Sequence, residues 1–244
     1  MEPDQGDSPH PFGSRIAIGV LAKAPVAGRV KTRLASLLGT EGCARFQSAC
    51  LLDVIRRASA LSREVTFFGE PVDRAREFVL EHRLSTSVSA QADGDLGARI
   101  ARAFAKLFEP RTVLAALIVG SDSPDLPREH WLGAARALRA AEMALGPAED
   151  GGYYLVGLRR GEWMTEGKAI ARLFDEIPWS SDDTFARQRE RAGGRGLQVA
   201  TLAPWADVDT VSDLARLRHR LRGGTTPAEF SAVRDFCLEF FGEA

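Results

Sequence analysis

The sequence predicts an α/β protein in three layers, a mostly parallel mixed sheet covered by helices. Short apolar runs rich in strand-forming residues alternate with longer stretches whose apolar positions recur every three or four residues. The run LAALIVG (114–120) is apolar on consecutive positions, as expected of a central strand covered on both faces. At 244 residues the chain suits one large core better than two independent ones. Strands are expected at 15–22, 64–69, 86–91, 113–120, 153–158 and 197–202. Helices are expected at 40–60, 72–82, 96–108, 128–141, 168–174, 182–192, 210–221 and 227–241. The opening MEPDQGDSPHPFGS is polar with Pro and Gly and reads as a disordered tail, leaving 15–244 as a single domain.

Charge and composition narrow the function. A formal net charge of −1 gives no basic field for nucleic acid and no acidic excess that would imply disorder, so small molecules are the expected partners. No apolar run approaches the ~20 residues of a membrane span, and the N-terminus has no leader pattern, so a cytoplasmic protein is expected. Cys43 and Cys50 stand seven positions apart on one predicted helix, about 10 Å along its axis and too far for a disulfide. His10, His82, His130 and His219 are scattered, without zinc-ligand spacing.

In an open parallel sheet the ligand crevice lies beyond the carboxyl ends of the strands, which directs attention to the residues after 15–22 and 113–120. The first strand runs into Lys23-Ala24-Pro25-Val26-Ala27-Gly28-Arg29-Val30-Lys31-Thr32-Arg33, four cations in eleven residues. Such a loop can bind a di- or triphosphate through backbone N–H groups and side chains, with Lys23, Pro25, Gly28, Arg29, Lys31 and Arg33 as the expected phosphate-binding residues. The competing reading is a solvated basic loop. The spacing matches neither the P-loop nor the dinucleotide fingerprint.

Acidic turns follow other strands. Gly120-Ser121-Asp122-Ser123-Pro124-Asp125-Leu126-Pro127 places two carboxylates at the end of the central strand, a site suited to Mg²⁺ or Mn²⁺; Asp125 also suits capping of the next helix. Pro147-Ala148-Glu149-Asp150-Gly151-Gly152 is a tight turn whose Glu149 and Asp150 could position an acceptor hydroxyl or take its proton. In Asp207-Val208-Asp209-Thr210-Val211-Ser212-Asp213, Thr210 and Asp213 have capping spacing, leaving Asp207 and Asp209 to complete a metal shell. Gln91, Gly94 and Asp95 end another strand and suit contact with a base or sugar, or a helix cap at Asp95. Trp179 suits stacking on an acceptor or simple packing, and the 227–241 stretch a docked helix or a homodimer contact.

Taken in order, KAPVAGRVKTRL (23–34), QADGDLGARI (91–100), GSDSPDLP (120–127), PAEDGGYYLVGL (147–158), FDEIPWSSDDTF (174–185) and DVDTVSDL (207–214) resemble a bacterial family of glycosyltransferase-A-like proteins, some linked to arsenosugar biosynthesis. The resemblance implies the nucleotide-diphospho-sugar transferase (GT-A) fold, with a Rossmann-like nucleotide-binding half and an acceptor half in one domain. That fold also serves nucleotidyltransferases, so it does not choose the reaction. Asp122 and Asp125 depart from the D-x-D element usual in such glycosyltransferases. Three functions are therefore carried forward: metal-dependent glycosyl transfer from a nucleotide sugar to a small-molecule acceptor, nucleotidyl transfer from a nucleoside triphosphate, and a non-catalytic nucleotide-binding module.

Overall fold

Five consecutive apolar residues make β4 (Ala115–Val119), and every one of them is buried. The strand lies at the middle of a seven-stranded sheet of order β3 (Ser87–Ala90), β2 (Val65–Glu70), β1 (Ile16–Lys23), β4, β6 (Tyr153–Arg159), β5 (Met143–Pro147) and β7 (Val199–Thr201). The chain is described here from a computed structural model covering residues 11–13, 15–164, 169–222 and 231–242. β1, β2, β3 and β4 are mutually parallel, while β6 runs antiparallel between β4 and β5, and β7 pairs parallel with β5.

Helices cover both faces. α1 (Ala35–Leu61), α2 (Val72–Glu81) and α4 (Arg128–Ala137) bury Leu51, Ile55, Phe78 and Trp131 against one face. α3 (Leu96–Leu107), α5 (Ala169–Phe174) and α6 (Thr184–Gly193) bury Ile100, Phe104, Phe174 and Ala192 against the other. The helical spacing of Ile100, Phe104 and Leu107 explains why α3 presents a single apolar stripe. A third cluster joins α1 to α7 (Val211–Arg222) and α8 (Ser231–Phe241), with Phe236 against Phe46 at 5.3 Å between ring centroids. None of the described helices is long and apolar enough to cross a membrane.

The three-layer mixed sheet is the one expected, with differences in detail. β5 was not expected: Met143, Ala144, Leu145, Gly146 and Pro147 include no β-branched or aromatic residue, and the segment becomes a strand because β6 and β7 pair with it on either side. The helix expected at 40–60 is the part of α1 beyond Gly39, whose φ of 68° interrupts the helix begun at Ala35. Of the expected tail, residues 1–10 and 14 lie outside the described residues; Phe12 is buried, and its N–H donates to Leu61 O at 2.9 Å. The starts of the helices expected at 168–174 and 227–241 also lie outside the described residues.

One buried carboxylate fixes α8. Asp53, on α1, accepts hydrogen bonds from the N–H groups of Ala232 at 3.1 Å and Val233 at 2.9 Å. Burial pushes its carboxyl up to about 6, against the pull of those two bonds. The native state therefore holds this proton more tightly than the unfolded chain, and the contribution of Asp53 makes stability fall as pH rises from about 4 to about 6. Asp53→Asn is expected to remove that slope. Asp53→Ala leaves the buried Val233 N–H and the half-buried Ala232 N–H without this acceptor and is expected to lose about 2–4 kcal/mol. Urea unfolding of the wild type and both variants across that pH window measures both effects.

Candidate functional site

The strand order reverses at β1: β2 and β3 lie on one side of it, β4 and the rest on the other. The carboxyl ends of β1 and β4 therefore open a crevice at a topological switch point. The basic loop leaves β1 there and the 120–127 segment leaves β4. The segment after β7 crosses to meet them, with Val208 N–H donating to Asp122 O at 2.8 Å. Gln47, buried on α1, ties the two strand ends together: its Nε2 donates to Lys23 O and to Ser121 Oγ, both at 3.0 Å.

The basic loop is internally braced. Val26 N–H donates to Ala24 O and Arg29 N–H to Val26 O, and Gly28 supplies a φ of 75°. Lys31 is also left-handed, at φ 47° and ψ 37°, and Leu34 N–H donates to its carbonyl at 2.8 Å to start the short 3-10 turn Thr32–Leu34. Its side chain is only 4% exposed. The ammonium donates to Asp122 Oδ1, to Asp209 Oδ1 at 3.0 Å and to Val208 O at 2.7 Å. Burial alone would lower its pKa, but Asp122 and Asp209 outweigh burial and hold it charged, above the ordinary lysine value.

Lys23, Arg29, Lys31, Arg33, Gln91, Asp122 and Asp209 share one cleft of about 360 Å³, within the size range of small-molecule sites. Gln47, Arg99 and Ser121 also line it. Sequence reasoning missed them; the available signals were a glutamine on the apolar face of α1 and an arginine one turn into α3. Gln91 is fixed in orientation, since its Nε2 donates to Ala22 O and Phe68 O and its Oε1 accepts from Arg99, which also pairs with Glu70 at 3.0 Å.

Other expected site residues stand elsewhere. Pro25 and Gly28 shape the loop without lining the cleft. Asp95 caps α3, accepting from Ala98 N–H at 2.8 Å, and Gly94, with φ 107°, leads into that cap. Glu149 is exposed and paired with Arg216 at 2.8 Å. Asp150 is exposed on its turn and accepts from Gly152 N–H at 2.9 Å. Trp179 packs at Gly97, where an added Cβ would lie 2.9 Å from its ring.

Asp125 requires a correction. It makes no cap bond to α4; its carboxylate is buried and gripped by Arg220 Nε at 2.6 Å and Nη2 at 3.2 Å, with Trp205 Nε1 donating at 3.4 Å. The pair makes Asp125 a strut between the 120–127 segment and α7, a place other than the metal shell expected for it. Asp207 is held by Ser123 Oγ, and burial first, then the neighbouring Asp122, Asp150 and Asp209, push its carboxyl up to about 7. Asp207 does not line the cleft, where Asp122 and Asp209 stand.

Asp122 Oδ1, Asp209 Oδ1 and Val208 O converge on one point, the Lys31 ammonium. These are hard oxygen donors, the chemistry that Mg²⁺ or Mn²⁺ accepts from a protein while taking its other ligands from water and phosphate. Among the described residues no group of three carboxylate, imidazole or thiol side chains is placed to hold a metal by itself. Asp122 and Asp209, with Val208 O, are the groups here that could hold such an ion.

The sequence model of the family described as "Uncharacterized protein conserved in bacteria (DUF2064)" matches residues 51–181, more than half of the chain. The chain belongs to that family. This DUF2064 chain superposes on a Desulfovibrio desulfuricans G20 protein, provisionally named a nucleotide-diphospho-sugar transferase, with a TM-score of 0.78 at 27% identity over 93% of this chain and 97% of that one. More distant likenesses show the fold alone. A 4-diphosphocytidyl-2C-methyl-D-erythritol synthase from Anaerococcus prevotii DSM 20548 has a TM-score of 0.55 at 12% identity, over 84% of this chain and 96% of that one. An inositol-1-phosphate CTP transferase from T. maritima has a TM-score of 0.54 at 12% identity, over 91% and 97%. No curated protein matches the sequence. The nucleotide-diphospho-sugar transferase fold implied by the ordered motifs is the fold of this DUF2064 chain.

Proposed function

We propose that the chain is a metal-dependent transferase acting on a nucleotide-activated substrate, moving a glycosyl group from a nucleotide sugar to a small-molecule acceptor. One observation carries this reading: Lys23, Arg29 and Arg33, which have no ion pair among the described residues, line the same cleft as the carboxylates of Asp122 and Asp209. Cations facing carboxylates across a narrow crevice suit a diphosphate that arrives with a divalent ion. The name of the Desulfovibrio desulfuricans relative supports the same substrate class.

The roles follow from position. Lys23, Arg29 and Arg33 hold the phosphates, and Gln91 and Arg99 meet the nucleoside beyond them at the ends of β1 and β3. Asp122 and Asp209 would hold the metal, whose charge would stabilise the departing nucleoside diphosphate. Asp150, exposed on the neighbouring turn, accepts the proton of the acceptor hydroxyl. Glu149 holds Arg216 of α7 and keeps that turn in place.

Nucleotidyl transfer is the second reading. It is favoured by the fourth loop cation, Lys31, which lines the same cleft and would suit the extra charge of a triphosphate. The leaving groups separate the two reactions. Incubation with UDP-, GDP-, CDP-, ADP- and dTDP-sugars and with nucleoside triphosphates, each with Mg²⁺ or Mn²⁺, is followed by ³¹P NMR. Nucleoside diphosphate released from one nucleotide sugar is the expected result; pyrophosphate released from a triphosphate would replace glycosyl by nucleotidyl transfer.

A further inference from the structure

Lys31 differs from the other cations of its loop. Lys23, Arg29 and Arg33 are exposed, whereas the Lys31 side chain is folded inward and only 4% exposed. An ammonium has three N–H donors. All three are used, on Asp122 Oδ1, Asp209 Oδ1 and Val208 O. These acceptors come from the two segments that meet across the crevice, after β4 and after β7, and the same oxygens form the donor set suited to a divalent ion.

Two cations cannot share that point. A Mg²⁺ or Mn²⁺ ion on the same oxygens, Asp122 Oδ1 and Asp209 Oδ1, would stand roughly 2.0–2.2 Å from atoms the ammonium contacts, so like charge and overlap both oppose joint occupancy of them. We propose that Lys31 is an internal counter-ion of the acidic site, which a divalent metal must displace, and that the phosphates of the bound nucleotide receive the released ammonium. The second half of this proposal rests on the nucleotide-transferase reading above; the first rests on the geometry of Lys31 alone.

The consequence is a coupling between ligands. Without nucleotide, metal entry evicts a well-satisfied buried ammonium and gives it no new partner, so metal alone binds weakly. A nucleotide supplies phosphate oxygens beside Lys23, Arg29 and Arg33, within the cleft that Lys31 also lines. Each ligand then raises the affinity for the other by the same factor.

The test is direct titration of Mn²⁺ into the full-length protein, read by the EPR signal of the free ion. Removing the internal cation is expected to tighten Mn²⁺ binding in the absence of nucleotide, by about tenfold in Lys31→Met, the size of an ordinary coupling between sites. Lys31→Gln should move the same way, and circular dichroism establishes that each variant is folded. A measurement on the wild type avoids any variant: acylation of the Lys31 amine by acetic anhydride, read by peptide mass, should be slow without metal and rise at saturating Mn²⁺. A folded Lys31→Met protein that binds Mn²⁺ no tighter than the wild type, or a Lys31 amine that stays unreactive at saturating Mn²⁺, would overturn the exchange. Should nucleotides leave the Mn²⁺ affinity of wild type and variant unchanged, the nucleotide half fails with the transferase reading, and the metal titration still decides the first half.

Discussion

Asp122→Asn is expected to lower turnover by at least about a hundredfold, the scale of losing one preorganised electrostatic group at a reacting centre. The carboxylate stands at the end of the central strand, receives the Lys31 ammonium, and has its backbone carbonyl fixed by Val208 N–H. Asparagine keeps the shape and one oxygen acceptor but removes the charge that a divalent ion requires. The fold should survive, because Asp209 and Val208 O still receive Lys31; a stability loss of about 1–2 kcal/mol is expected for weakening one charge-assisted bond. Turnover assays beside urea unfolding separate the two effects. Unchanged turnover in a folded variant would remove Asp122 from the chemistry.

Gly151→Ala is expected to be the most damaging small substitution near the site, costing about 3–5 kcal/mol or preventing folding. Two independent constraints meet there. The residue has a φ of 87°, a conformation that L side chains rarely adopt. A Cβ at this position would also lie 2.6 Å from the carbonyl carbon of Asp182, and closer still to its Cα and oxygen. These atoms are backbone and cannot rotate away. The close approach has a purpose in the fold: Phe185 N–H donates to Gly151 O at 2.9 Å, docking the start of α6 against the turn that carries Asp150. Denaturant unfolding measures the loss, and a loss below about 1 kcal/mol would mean that the turn and α6 separate freely.

How far the site could be read from sequence depended on whether its cause was local. LAALIVG identified the central strand because burial on both faces leaves its mark in the residues themselves. The Lys23–Arg33 loop and Asp122 were legible because strand ends in such sheets point to the crevice. Asp125 was not, because its partner Arg220 lies ninety-five positions away and leaves no trace in the GSDSPDLP motif. Nor could the motif show that Lys31 turns inward while Lys23, Arg29 and Arg33 stay outside, since that depends on Asp209 arriving from beyond β7. The EDGG turn read equally as turn and as site; the structure shows the physical demand at Gly151, while Asp150 retains a proposed role. β5 escaped because its strand character comes from its neighbours and not from its residues.

The central claim, that the basic loop and the acidic site form one nucleotide-binding cleft, is tested most directly by a thermal-shift panel. It would compare UDP-, GDP-, CDP-, ADP- and dTDP-sugars and the free nucleoside triphosphates, with and without Mg²⁺ or Mn²⁺, on the wild type and on the double variant Arg29→Ala with Arg33→Ala. A ligand that binds the native state raises its apparent stability by mass action, about 2.7 kcal/mol at a hundredfold excess over Kd. The account predicts a metal-dependent upward shift with one nucleotide sugar in the wild type, largely lost in the double variant. No shift with any nucleotide, or an equal shift in the double variant, would contradict it.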